Sequence, residues 1–254
     1  MRADGTLAAR LLSSGLDWIV PDWPAPAPVC AFSTTRNGVG GTAIDFARDH
    51  PNAAAARALL RRFVPDEPLW LAQSHGTAVV SVDVGHFGTP EADGAVSHVP
   101  GHVCAVLSAD CLPVLFADRR GSVVAAMHAG WRGLAAGALE ASVGSMQAAP
   151  ADLLAWLGPA IGPEAFEVGA EVHAAFCNRD PGAGACFVAT REGKWHADLY
   201  ALARRALVRA GIDDAAIHGG GRCTYSETTK FYSYRRGGPD RSARMATLIW
   251  LARD

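Results

Sequence analysis

The residues best suited to chemistry form the run His128-Ala129-Gly130-Trp131-Arg132-Gly133. It follows the apolar stretch Ser122-Val123-Val124-Ala125-Ala126-Met127, so a histidine falls where a strand ends, and an arginine falls where a helix begins. In α/β proteins that junction is a favoured place for a ligand. Gln73-Ser74-His75-Gly76 offers a second histidine, and Ser108-Ala109-Asp110-Cys111-Leu112-Pro113 offers a cysteine between two apolar runs. One thiol and two imidazoles dispersed along the chain do not match a structural zinc knuckle, whose ligands are closely spaced. They match a catalytic site with three protein ligands and one open position, in which zinc acidifies a bound water. The same residues allow a metal-free reading, with Cys111 as a nucleophile whose pKa is lowered by His75 or His128. For any single one of the nine histidines an ordinary structural role is the better bet. His75 and His128 stand out because each ends an apolar run close to a glycine.

Around these three, Asp93 and Asp110 are candidate carboxylates, either holding the far nitrogen of an imidazole or moving protons. Asp93-Gly94 is equally a turn signal, and Asp110 could cap its own turn. Arg36, Arg132 and Arg235 are candidate anion binders. Arg36 lies in a glycine-rich loop, and Arg235 lies in the aromatic run Phe231-Tyr232-Ser233-Tyr234-Arg235-Arg236.

The elements that must position these groups read as mixed α and β. Strands are expected over 29–34, 79–84, 103–107, 114–117, 122–127, 153–157 and 245–251. Helices are expected over 52–62, 134–146, 169–176 and 198–210. In the last helix, Leu199, Leu202, Ala203, Ala206, Leu207 and Ala210 keep a helical rhythm, and Gly211 closes it. Residues 1–28 are expected to lead in as an extended segment, proline-rich over 21–28. Adjacent strands without an intervening helix favour a mixed sheet over a doubly wound one.

The chain has 254 residues and is half hydrophobic, with 23 basic and 25 acidic side chains and a net charge of −2. That is enough for one sizeable core, and it gives no reason to expect a nucleic-acid or anionic-membrane partner. No apolar run is long enough to cross a bilayer, and no signal peptide is evident. With six cysteines and no C-x-x-C pair, reduced thiols in a cytoplasm are the simplest expectation.

Taken together, QSHG (73–76), ADG (92–94), SADCLPVLFAD (108–118), HAGWRGL (128–134), LGPAIGPEAFEVG (157–169), CT (223–224), FYSYRRGG (231–238) and ARMATLIWL (243–251) resemble one family. It is the multicopper polyphenol oxidase (laccase)-like family, also described as purine nucleoside phosphorylases, and the match runs from about Phe32 to the C-terminus. The resemblance implies a single domain over 1–254 with layered α-β-β-α architecture similar to cysteine hydrolases. It implies zinc bound through His75, Cys111 and His128. It also implies phosphorolysis of adenosine, inosine or methylthioadenosine, so that the partners are a purine nucleoside and phosphate, with adenosine deamination as a second activity. Removal of a wrongly attached amino acid from peptidoglycan precursors, by a Cys-His amidohydrolase, is a role described for relatives. Copper is the alternative metal. Copper-dependent polyphenol oxidation ranks lower because the chain has no His-x-His pair, and three ligands do not build several copper centres. Two segments depart from the family pattern. Ala43-Ile44-Asp45-Phe46-Ala47 replaces a Ser-Leu-Asn-Leu-Gly-like run, and Ser242-Ala243-Arg244 replaces Thr-Gly-Arg. Both bear on substrate preference more than on the metal ligands.

Overall fold

A computed structural model describes residues 6–48, 50–86, 88–238 and 243–253; Ser242 and residues 1–5 of the expected lead-in lie outside them. In chain order the strands are β1 (Val29–Ser33), β2 (Val79–Ser81), β3 (Gly94–Ser97), β4 (Val103–Ser108), β5 (Leu112–Asp118), β6 (Val124–Ala129), β7 (Leu153–Leu157), β8 (Glu167–Gly169), β9 (Phe187–Arg191), β10 (Lys194–Ala197), β11 (Ile217–Gly219) and β12 (Met245–Leu251). The helices are α1 (Leu7–Ser13), α2 (Ala53–Leu60), α3 (Trp131–Ala136), α4 (Ala138–Ser145), α5 (Ala170–Cys177), α6 (Leu199–Arg209) and α7 (Tyr234–Gly237).

Three sheets result. The largest has the order β11-β7-β5-β6-β3-β2 and is mixed: β5 runs antiparallel to β6 and β7, whereas β2 is parallel to β3 and β11 is parallel to β7. The second, β1-β12-β4, is antiparallel, and the third, β8-β10-β9, is a small antiparallel ribbon.

The two-residue period of a strand explains how the layers stack. In β5, Val114 and Phe116 join Leu139, Val143, Leu202 and Ala206 of α4 and α6 in one buried cluster. Leu115 and Ala117, alternating with them, pack instead with Cys104, Val106, Ile249 and Leu251 of the second sheet. The outer face of that second sheet, through Val103, Ala105, Leu248 and Trp250, is covered by Leu11 of α1 and by Ala56 and Leu60 of α2. The chain is therefore a mixed α/β domain with helix, sheet, sheet and helix in succession. The alternation also assigns His128. Val124 and Ala126 of β6 face the second sheet while Ala125 and Met127 face the helices, so His128 falls on the inter-sheet side.

Several sequence expectations are corrected. Residues 7–13, expected to be extended, form α1, with Thr6 accepting from the Ala9 N–H at its start; 20–28 do lack regular structure. The single helix expected over 134–146 is two helices. Gly137 breaks it with φ 105°, and the Arg179 guanidinium donates to the Ala135 carbonyl at the gap. The expected Asp93-Gly94 turn is instead the start of β3. Gly94 lets the strands pack closely there: a Cβ would lie 2.8 Å from Met127 Cε, 3.1 Å from Val79 Cγ2 and 3.3 Å from the Ala126 carbonyl. The ribbon β8-β10-β9 had no sequence signal, since β9 is mostly exposed and shows no alternation.

One buried carboxylate ties a turn of the large sheet. Asp118 accepts from Ser122 N–H (2.6 Å), Ser122 Oγ (2.7 Å) and Val123 N–H (3.1 Å), closing the β5–β6 connection. Burial pushes its pKa up, but these donors outweigh burial and hold it below 3.8. The folded chain therefore binds that proton less readily than the unfolded chain. The stabilisation is full above the ordinary carboxylate range and is lost as the pH falls through the lowered value. Asp118→Ala is expected to cost about 1–3 kcal/mol at neutral pH. In urea titrations the difference from wild type should shrink below about pH 4.

Candidate metal centre

The three singled-out residues converge. His128 is the penultimate residue of β6, His75 lies in the turn before β2, and Cys111 sits where the chain crosses from the second sheet (β4) to the large sheet (β5). One ligand atom from each lies within 4.8 Å of the others, and the two imidazole rings are 4.8 Å apart, edge to face.

Asp93 holds two of them. Its fully buried carboxylate accepts from His128 Nδ1 at 2.8 Å, and from the backbone N–H groups of Ser74 (3.1 Å), His75 (2.9 Å) and Gly76 (2.6 Å). The His128 N–H also donates to the Asp93 carbonyl at 2.8 Å. With Nδ1 occupied, His128 presents Nε2 to the cluster. The three backbone donors pin a turn in which His75 has φ 62°, a left-handed conformation that costs a non-glycine residue about 1–3 kcal/mol. Asp93 does not line the cleft, so it acts as a holder and has no direct access to a substrate proton.

The glycines of the 128–133 motif serve space. A Cβ on Gly130 would come within 2.7 Å of His75 Cδ2 and 3.0 Å of Cys111 Sγ; one on Gly133 would meet the Gly76 carbonyl at 2.7 Å. Both glycines let α3 close onto the His75 turn.

Charge favours the thiolate and also a protonated His128, whose ring proton a metal would have to displace. Burial pushes the Cys111 thiol up, but the His128 ring charge and hydrogen bonds from His128 and His75 outweigh it and hold the thiol below its ordinary value. Burial alone would lower the His128 pKa, yet the Cys111 sulfur and the Asp93 carboxylate raise it. Burial likewise pushes Asp93 up, against hydrogen bonds from His128, Gly76 and Ser74 that bring it down to about 2. A thiolate and two oriented imidazoles are a borderline-soft donor set that suits zinc or copper.

Asp110 is placed differently from the sequence expectation. Its carboxylate touches neither imidazole; it accepts from Thr224 Oγ1 (2.6 Å), Ser233 Oγ (2.9 Å) and the Arg235 N–H (2.7 Å). With φ 87°, and its carbonyl accepting from the Ile161 N–H, it fastens the Cys111 turn to the C-terminal segment and α7.

The triad opens on a cleft of about 710 Å³. Leu71, Leu107, Ile161 and Leu199 form apolar wall, Trp131, Phe166 and Tyr234 add rings, and Arg48, Arg132, Arg235 and Arg244 add charge. Arg132 lies over the Trp131 ring at 4.4 Å, and Arg235 lies over Phe166 while donating to the Glu167 carbonyl. Arg36 does not reach this cleft. It lies over Tyr232 in a neighbouring cavity with Asp45 and His50, and donates to the Thr228 carbonyl. Sequence reasoning missed Arg48. Its only signal was its place directly after the departing segment 43–47.

The model of the family described as multi-copper polyphenol oxidoreductase laccase matches residues 42–252. The chain belongs to this family. A Xylella fastidiosa relative named purine nucleoside phosphorylase is 45% identical over 92% of this chain and 97% of its own length. A relative of the same name from Pseudomonas aeruginosa is 48% identical over 92% and 98%, and Escherichia coli purine nucleoside phosphorylase YfiH is 45% identical over 92% and 98%. Among solved structures, a Neisseria meningitidis protein superposes with a TM-score of 0.88 at 43% identity, over 93% of this chain and all of that one. YlmD of Geobacillus stearothermophilus gives 0.84 at 27% identity, over 93% and 96%. The laccase-like name does not fit the donor inventory. Among the described residues, His75-Cys111-His128 is the only group of three or more metal-ligating side chains, and several copper centres need more.

Two outcomes test this geometry. Gly130→Ala is expected to cut bound metal at least tenfold while the protein stays folded, read by elemental analysis beside circular dichroism. Asp110→Asn keeps an acceptor for Ser233 and Arg235 and can donate to Thr224, so its melting temperature should stay near wild type, whereas Asp110→Ala should lose about 1–3 kcal/mol.

Proposed function

We propose that the chain is a purine nucleoside phosphorylase, with zinc at His75, Cys111 and His128. The observation that carries this is the triad on the wall of a cleft that also offers aromatic faces and several guanidiniums, in a chain related over nearly its whole length to proteins of that name. Zinc, when bound there, supplies Lewis acidity beside the reacting centre. The remaining chemistry falls to the chain. Trp131, Phe166 and Tyr234 offer stacking surface for a purine. Arg132 and Arg235 hold phosphate against the sugar carbon and stabilise charge as the glycosidic bond breaks; guanidinium forks suit phosphate oxygens. Asp93 keeps the His128 ring in one orientation. Adenosine, inosine and methylthioadenosine are the proposed nucleosides, and deamination of adenosine to inosine is a second proposed activity of the same cleft.

A second reading has its own support. Cys111, His128 and Asp93 stand in the order of a nucleophile, a base and the group that orients the base, with the thiol held low. That arrangement suits a Cys-His amidohydrolase acting on peptidoglycan precursors, in keeping with the cysteine-hydrolase-like layering the resemblance implies.

Zinc-loaded protein incubated with adenosine is expected to release adenine and ribose 1-phosphate only when phosphate is present, with inosine marking deamination. Chelation should abolish these products and re-addition of zinc should restore them. Amide hydrolysis that survives chelation but not thiol alkylation would favour the second reading. Cys111→Ser and His128→Ala should each lose stoichiometric metal and at least 10²-fold in activity, since each removes one of three ligands.

A further inference from the structure

The helix that brings Trp131 and Arg132 to the cleft is short. α3 has six residues, fewer than an isolated helix needs to hold itself. Packing fixes its start: Gly130 lies against His75 and Cys111, Gly133 lies against the Gly76 carbonyl, and Leu134 is buried in the large core cluster. A side chain from elsewhere fixes its end. Arg179, two residues past α5, donates from Nη1 to the Ala135 carbonyl (2.9 Å) and from Nη2 to Glu140 Oε1 (3.1 Å). One guanidinium thus straddles the break, with one prong on the last turn of α3 and the other on the first turn of α4.

The guanidinium fills space that a side chain would otherwise take. A Cβ on Gly137 would lie 2.8 Å from both Nη1 and Nη2 of Arg179. Arg179 is itself anchored. Its N–H donates to the Phe176 carbonyl (3.2 Å), and the neighbouring Asp180 carboxylate accepts from Nε and Nη2 of Arg205 in α6, each at 2.9 Å. Ala135, Ala136, Ala138 and Leu139 all favour helix, so the residues around the break do not hold it open. Gly137 permits the break, and Arg179 holds it.

Arg179 does not line the cleft. We propose that it is a positioning residue for phosphate: by closing the end of α3, it holds Arg132, one turn earlier, where the anion meets it. The proposal rests on the phosphorylase reading, in which Arg132 takes phosphate, and adds a residue outside the cleft to that binding. An arginine suits this place because a planar fork meets two acceptors at once in fixed geometry, whereas a lysine ammonium is a single point on a flexible stem. Without the fork the last turn of α3 frays, and the Arg132 guanidinium loses its fixed approach to the phosphate oxygens.

The test measures the phosphate and adenosine dependence of turnover in zinc-loaded, full-length Arg179→Met, Arg179→Lys and Gly137→Ala. The KM for phosphate is expected to rise at least fivefold in all three. The kcat and the KM for adenosine should stay within twofold of wild type, and bound zinc should stay stoichiometric. Arg179→Lys separates positioning from long-range attraction, because it keeps the charge and loses the fork. A wild-type KM for phosphate in that variant would mean that charge alone acts, and would overturn the proposal. Gly137→Ala keeps the arginine but displaces it from the break. A merely structural role lowers the melting temperature or the active fraction, so that kcat falls while the KM for phosphate stays put; that outcome also overturns the proposal. If wild type cleaves no nucleoside, the phosphorylase reading fails, and amide hydrogen exchange decides the positioning of α3 by itself. Exchange over 134–137 at least tenfold faster in Arg179→Met, with β5 unchanged, supports it; equal exchange overturns it.

Discussion

The site depends on one buried carboxylate. Asp93 is fully withdrawn from solvent, a state that costs a charged group heavily unless hydrogen bonds compensate. Here three consecutive backbone N–H groups and one imidazole point at it. Every one of these donors favours the ionised form, so the charge stays, and the strand end at His128 and the turn at His75 are drawn to the same two oxygens. Asp93 can do this because it directly precedes β3, the neighbour of β6, in the register that sets Gly94 against Met127. The sheet fixes the carboxylate, and the carboxylate fixes the His128 ring and the backbone turn that carries His75.

The thiol arrives by another route. Cys111 is carried by the crossover between the two stacked sheets, and Asp110 anchors that crossover to the C-terminal segment. The cleft thus takes wall from both sheets and from α7. Its side chains are divided in the same way, with the two imidazoles on the large sheet's side, the thiol on the crossover, and guanidiniums on segments that belong to different layers.

Much of this was legible in the sequence because the signals were local. The continuous apolar runs of β5, β6 and β12 and the amphipathic rhythm of α6 are properties of a few neighbouring residues. His75, Cys111 and His128 were readable because thiol and imidazole are scarce and each ended an apolar run. Long-range geometry was not legible. Asp110 looked like a partner for an imidazole beside it, yet its carboxylate reaches residues more than a hundred positions away. Arg36 and Arg48 are both loop arginines, and only the folded arrangement sends one to a side cavity and the other to the cleft. The break at Gly137 was hidden because Ala and Leu on both sides favour helix and the tie to Arg179 is tertiary.

The Asp110 fastening has a temporal consequence. Its three donors come from Thr224, Ser233 and Arg235, and the sheet that carries β4 into the crossover is completed only when β12 inserts between β1 and β4. A growing polypeptide on the ribosome can form the β5–β6 hairpin early, but the Cys111 turn is held only after Thr224, Ser233 and Arg235, more than a hundred positions later, have emerged and folded back onto it.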